Sequence, residues 1–490
     1  MPDVLASRPA LAPGVREALA RAMAPLSSCQ QRVWRLVHAE PATGFFERIN
    51  LRFAGPLRVD ALNAALREVV RRHAILRTVF LVIDGQPTQC VRSASDIGVL
   101  LIDLRALPPA LRERAAVRLA RRDEQAAFDL KRGPFLRALA VRVAPADHVL
   151  LLRLHHLVFD GWSTGVLFRE LMTLYMTLAA GRRSPLPDLR AQYVDLARRE
   201  QQPARIAARQ ARVAACAARL AQRGPAATLP LDRPRPSHKS HRAAVVPFEL
   251  PGDVLRAVRG LTETGGATAF MVLLAALAMT LRRLDAGGSG SPQTRIDAIV
   301  GVPMANRAST DAQALIGPFV NLHVVRLRAE PAETVRVLLS RARHAMLEAF
   351  ADQDVSFEAV LDALHPGSAK DSYGATGEEP VFRVCVDFTD SDEAPAAAST
   401  AVDRASGGTA NLLGADLTIL PFEADDPIAG CDLFVSFSAR GGTLGGTVLH
   451  SAELFDRATI DRALDRLYAI LRGLPRSLDV PIPIFLQGVL

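Results

Sequence analysis

Aromatic residues other than phenylalanine are scarce in this chain, with two Trp and four Tyr among 490 residues. Recognition of unpaired nucleic acid leans on aromatic stacking beside basic side chains, and no basic tract here alternates with aromatics. Nucleic acid is therefore not the expected partner, although the net charge is +8 and the isoelectric point about 9.7. Cysteine is sparse as well. Cys29, Cys90, Cys216, Cys385 and Cys431 are odd in number and widely spaced, without a C-x-x-C pair. Neither a disulfide framework nor a structural zinc is suggested, and a reducing cytoplasm fits. No basic-then-apolar leader opens the sequence. The longest apolar run, residues 267–281, is too short for a membrane span and is broken by Thr268 and Thr280. It reads as a buried helix, so no membrane is implied.

What is present describes a folded protein. Hydrophobic residues make up 49% and charged residues 22%, and 490 residues suit two domains of ordinary size. The positive charge comes mostly from arginine in an alanine-rich background and favours an anionic partner such as an acidic protein. Strand and helix patterns alternate along the chain. A strand at 47–53 precedes an amphipathic helix capped by Asp60, with Leu62, Leu66, Val69 and Val70 on one face. Asp84-Gly85 between two strand-like runs is a hairpin signal. Arginine- and alanine-rich helices are expected at 109–128 and 200–225. In the second half the pattern gives strands at 245–250 and 296–302, and helices at 253–264, 268–284 and 458–474. Residues 1–24 read as an extension with a short helix at 15–23, and 367–379 and 394–414 as small-residue loops.

One stretch concentrates the chemistry. Residues 149–154 are strand-like and end in two adjacent histidines, His155 and His156. Alternation along a strand sends these side chains to opposite faces. Asp160-Gly161 turns the chain, and Ser163 or Thr164 caps a helix carrying Val166, Leu167, Leu171 and Leu174. A neutral imidazole is suited to accept a proton near pH 7. Taken alone, the pair is equally explained by one histidine ending a strand and the other filling core.

His155 to Gly161 resembles H-H-x-x-x-D-G, the motif of condensation domains from nonribosomal peptide synthetases and of related CoA- or carrier-dependent acyltransferases. The rest of the chain narrows the resemblance. Residues 26–36, including Gln30, Arg32 and Trp34, are similar to the family's first motif, with Cys29 for Ala and Val33 for Leu or Met. Residues 72–80 resemble R-H-E-x-L-R-T-x-F, with Ala74 for Glu. Tyr193, Asp195 and Ala197 match Y-x-D-F/Y-A-x-W, with Arg199 in place of the tryptophan. Residues 229–236 are similar to a rigid proline-rich linker. Residues 303–307, 316–326 and 352–358 follow further motifs, with Leu322, Asp352 and Ser356 as departures, and the motif expected around 379–383 is eroded. Leu444 to Val448 is similar to a carrier's L-G-G-x-S without the serine, and reads as sheet.

The resemblance implies an α/β (α+β) fold: two chloramphenicol-acetyltransferase-like lobes in a V-shaped pseudo-dimer with an active-site tunnel between them. The corresponding divisions are an extension at 1–24, an N-terminal lobe at 25–185, a connecting helix and linker at 186–243, and a C-terminal lobe at 244–490. It further implies His156 as the catalytic histidine and His155 as fold support. Asp160 is implied as a structural carboxylate paired with Arg307 or Arg77, and Gly161 as space for a pantetheine arm. Trp162, Ser163 and Asn321 are expected on the tunnel, Asn321 with a polar core role as the alternative. Heterocyclisation domains carry aspartates for the histidines and epimerisation domains usually lack the glycine, so the chain looks condensing. No metal or bound cofactor is implied; substrates would arrive as phosphopantetheine thioesters on acyl or peptidyl carrier proteins. The acceptor would be a small-molecule or carrier-bound amine or alcohol. With no adenylation motif present, a free-standing enzyme is expected. A CoA-dependent O- or N-acyltransferase and a non-catalytic carrier-docking scaffold are the alternatives.

Overall fold

The computed structural model describes residues 22–39, 45–93, 97–221, 230–236, 240–285, 295–364, 381–390, 410–411, 417–422 and 430–489. It divides into two compact units, and neither is a continuous stretch of chain. Unit 1 gathers Met1–Ile206 with Arg307–Pro318 and Thr409–Ala424, and unit 2 gathers Ala207–Asn306, Phe319–Gly408 and Asp425–Leu490.

Unit 1 is built on a six-stranded sheet in the order Ala410–Asn411, Thr418–Pro421, Phe46–Ala54, Asp147–His155, Leu136–Ala144 and Val99–Asp103. Its neighbours are antiparallel except the last pair. Asp147–His155 runs near the middle and is buried on both faces, which is why its apolar residues do not alternate with polar ones. Beneath one face, Val149, Leu151 and Val141 pack against Ala115, Ala116 and Ala120 of the helix Pro109–Gln125. The helices Val59–Arg72 and Gly161–Ala179 pack on each other. A small sheet of Met23–Pro25, Gln86–Val91 and Thr78–Ile83 completes the unit. Its hairpin turns through Asp84 at φ 50° and Gly85 at φ 76°, the left-handed pair that a two-residue turn requires.

Two local expectations change. The helix expected to be capped by Asp60 starts after Arg58, and Asp60 lies in the first turn, 2.8 Å from the Arg58 guanidinium. A carboxylate there favours the positive end of the helix without being its cap. The helix after the histidines begins at Gly161 rather than after Ser163 or Thr164, and its cap is Asp160. Of the helix expected at 15–23, residues 15–21 lie outside the described residues and Met23 is in a strand. The loop at 367–379 and most of 394–414 also lie outside them.

Unit 2 has its own six-stranded sheet, ordered Asn321–Ala329, Ile296–Met304, Val384–Asp390, Leu433–Arg440, Thr443–Ser451 and Ala243–Glu249. Val384–Asp390 is parallel to both neighbours. One face is covered by Gly252–Gly265, Ala269–Asp285, Val335–Ala351 and Arg457–Gly473. Ala269–Asp285 is the long apolar run of the sequence, and Met271 to Leu281 are buried in this core. The linker residue Asp232 is pinned to the unit, its carboxylate accepting from Asp456 N–H at 2.7 Å and Thr459 Oγ1 at 2.8 Å. The glycine pair that is similar to a carrier motif lies inside a strand, as expected. A Cβ on Gly446 would stand 1.9 Å from the Ser436 carbonyl oxygen, so close strand approach explains the glycine.

Candidate active site

The strand Asp147–His155 delivers the two histidines to its end, and they are treated differently. His155 is buried, with Phe128 and Phe135 edge-on at ring separations of 5.4 and 5.5 Å. The Leu157 N–H donates to His155 Nδ1 at 3.0 Å, so that nitrogen carries no proton. Burial, with His156 nearby, pushes the His155 pKa down to about 3. His155 is therefore a neutral structural imidazole. His156 is half-buried, and its Nδ1 lies 3.2 Å from the Phe159 carbonyl oxygen. A carbonyl can only accept, so Nδ1 carries a proton, and in the neutral ring Nε2 keeps its lone pair. Among the described residues Nε2 has no hydrogen-bond partner.

The loop after His156 is held by a buried polar network. Asp160 caps the helix Gly161–Ala179, its Oδ1 accepting from Ser163 N–H at 2.8 Å and from Ser163 Oγ at 2.6 Å. The Arg307 guanidinium reaches the same carboxylate at 3.0 and 3.2 Å. It also donates to the carbonyls of Ala312 and Leu315, each at 2.6 Å, and of Gly317 at 3.1 Å. Burial pulls the Arg307 pKa down, and the Asp160 carboxylate opposes that pull. Of the two partners expected for Asp160, the structure brings Arg307 to it. Arg77 is not at the site; its guanidinium donates to the Arg92 carbonyl.

Arg307–Pro318 is fastened at further points. Gly317 N–H donates to Ser163 Oγ at 3.0 Å, and Tyr193 Oη donates to the Pro318 carbonyl at 2.9 Å. Ile316 N–H donates to His73 Nδ1 at 3.2 Å, which leaves His73 Nε2–H to bond Glu170 at 2.9 Å. Arg72 joins Glu170 through two bonds of 3.2 Å. Burial alone would raise the Glu170 carboxyl, but His73 and Arg72 hold it below the ordinary glutamate value. The loop also needs a glycine: a Cβ on Gly317 would meet the Tyr193 ring at 2.3 Å.

Ser163, expected on a tunnel wall, is instead fully buried inside this network. Trp162 is 44% exposed, lies 5.7 Å from the Arg307 guanidinium and donates through Nε1 to the Gln313 carbonyl at 3.3 Å. Gly161 is under no backbone demand, because its φ is not left-handed, and the nearest neighbour of an added Cβ is Glu47 Oε1 at 3.9 Å. Asn321 belongs to unit 2, where it is buried and donates to the carbonyls of Gln353 at 3.0 Å and Val355 at 2.6 Å. That is the polar core role. The bond between Glu170 and His73 leaves little trace in the sequence, where the signal is a single glutamate beside Arg169 in a mainly apolar helical stretch.

A two-unit α/β fold with this histidine loop defines a class, and comparison identifies it. A model of the condensation domain matches residues 20–482, and the chain belongs to that family. It is 34% identical over 478 residues to phosphinothricin tripeptide synthetase PhsC of Streptomyces viridochromogenes, covering 95% of this chain and 41% of that protein. It is 31% identical over 461 residues to malpinin synthetase of Mortierella alpina, covering 94% of this chain and 6% of that protein. The chain thus spans less than half the length of either relative. Among solved structures, the X-domain from teicoplanin biosynthesis is similar with TM-score 0.75 and 27% identity over 94% of this chain and 96% of that one. The same X-domain in complex with OxyB gives TM-score 0.73 at 27% identity, over 94% of each chain. The fold is also that of the starter condensation domain of rhizomide synthetase, with TM-score 0.72 at 18% identity over 96% of this chain and 99% of that one.

Proposed function

We propose that the chain transfers an acyl group from a carrier-bound phosphopantetheine thioester to an amine or hydroxyl, forming an amide or ester. The observation that carries this reading is the state of His156, whose Nδ1–H is committed to the Phe159 carbonyl while Nε2 is left as an acceptor. Nε2 takes or aligns the proton of the nucleophile as it attacks the thioester carbonyl. The C–S bond then breaks, and the departing thiolate recovers a proton. General-base assistance contributes roughly 10²–10⁴-fold, and alignment of two held reactants at least as much. The open space at Gly161 supports passage of a thin pantetheine arm beside His156. The basic composition supports docking of an acidic carrier protein, and a cytoplasmic setting agrees with that partner. Among the described residues no helix is long and apolar enough to cross a membrane.

A second reading is a domain that recruits another protein, favoured by the likeness to an X-domain solved with OxyB. Intact-protein mass spectrometry of an acyl-loaded carrier, with a panel of amines and alcohols, separates the two. Acyl loss with matching product, abolished in His156→Ala, supports transfer. Carrier binding without transfer by the wild type supports recruitment, and transfer from acyl-CoA alone points to a CoA-dependent enzyme.

A further inference from the structure

The sheet of unit 2 has two unlike faces. Val384, Val386, Val435, Phe437 and Val448 lie in the core beneath the helices. The residues alternating with them point the other way. Register pairs Asp387 with Ser436 and Thr389 with Ser438, and Thr447 stands opposite Ser436 on the next strand. This gives one carboxylate amid four hydroxyls. On the outermost strand, Pro247 pairs with Thr447 and Val245 with Leu449, and both Pro247 and Val245 are exposed. That edge of the polar face is open.

Asp387 differs from four buried carboxylates elsewhere in the chain, each of which faces an arginine. Asp160 has Arg307, Glu170 has Arg72, Asp352 has Arg219 and Asp432 has Arg235. The hydrogen bond that Asp387 receives comes from the Ser436 hydroxyl, and no basic side chain among the described residues approaches it. Burial without a countercharge pushes its carboxyl up to about 6. Its place in the sheet is also particular. Val384–Asp390 pairs with Ile296–Met304 at Val384 and Cys385 and no further. Asp387 follows on the carboxyl side, where two parallel strands part, the kind of opening in which α/β sheets receive ligands.

We infer that Asp387 and Ser436, with Thr389, Ser438 and Thr447 beside them, form a binding site for a primary organic amine in its ammonium form. The ammonium supplies the countercharge that the Asp387 carboxylate lacks. Ser436 gives its own proton to Asp387, so its oxygen lone pairs remain to accept an ammonium N–H, and the neighbouring hydroxyls accept the others. One carboxylate with hydroxyls is a poor set for a divalent ion that prefers several oxygen ligands at once. The site stands on unit 2 alone and does not depend on the acyl-transfer reading, so the two can fail separately.

Isothermal titration of the full chain tests it, with n-butylamine, benzylamine and 1,4-diaminobutane as probes and n-butanol and tetramethylammonium as controls. The expected result is saturable binding of at least one primary amine, weakened tenfold or more by Asp387→Asn and weakened by Ser436→Ala, with neither control binding comparably. Melting temperatures establish that the variants are folded. Should Asp387→Asn fail to fold, preference of the wild type for primary over quaternary ammonium decides the matter. Absence of saturation by all three amines, equal binding of tetramethylammonium, or unchanged binding in a folded Asp387→Asn protein overturns the inference.

Discussion

Gly161 and His155 show at single-residue scale how function and stability separate here. An alanine at position 161 meets nothing closer than 3.9 Å and needs no unusual backbone. Replacing glycine where its φ and ψ suit any residue restricts the unfolded chain and stabilises by about 0.4–1 kcal/mol. Gly161→Ala is therefore expected to melt at or slightly above the wild-type temperature while transferring acyl groups more slowly. Equal activity in a folded Gly161→Ala protein would remove the argument for an arm passing there. His155 carries the opposite signature. Its folded pKa of about 3 lies below the roughly 6.5 of an unperturbed histidine, so between those values the unfolded chain binds the extra proton. Its stabilising contribution is complete above pH 6.5 and is lost as pH falls toward 3. Thermal melts of His155→Gln between pH 7 and 4 should depend less on pH than those of the wild type.

At the scale of elements, the motif loop depends on a partner segment distant in sequence. Removing one member of a buried pair strands the other charge, a loss of about 3–5 kcal/mol, whereas removing both is milder. Asp160→Leu should lower stability by that order in urea unfolding, and Asp160→Leu with Arg307→Met should recover much of it. A double variant no more stable than the single one would show that Arg307 matters mainly through the carbonyls of Ala312, Leu315 and Gly317. The sequence made the strands and most helices legible because their apolar periods are local: Asp147–His155, the Asp84-Gly85 hairpin and Ala269–Asp285 all follow from pattern. It could also narrow the partner of Asp160 to Arg307 or Arg77, but only through resemblance, and the structure chose Arg307. What it could not show was Ser163 turned inward, or Ile316 resting on His73. Such bonds join residues 154 and 243 positions apart, and hydrogen-bond partners at that range leave no periodicity.

On the scale of the whole molecule, charge governs encounter. An excess of eight positive charges would draw the acidic carrier protein proposed as its partner through long-range attraction, which salt screens. Affinity for such a carrier should fall steadily between roughly 50 and 500 mM salt, chiefly through slower association. Binding indifferent to salt would direct attention to an apolar contact instead.

The discontinuity of unit 1 bears on how this chain comes into being. During synthesis Asp160 emerges long before Arg307, and Phe46–Ala54 long before Thr418–Pro421 comes to lie beside it. Until then the nascent first unit carries an acid whose arginine has not yet been made and a bare strand edge open to pairing with other chains. Truncation at Ile206, attractive on a linear map, would make that interim state permanent.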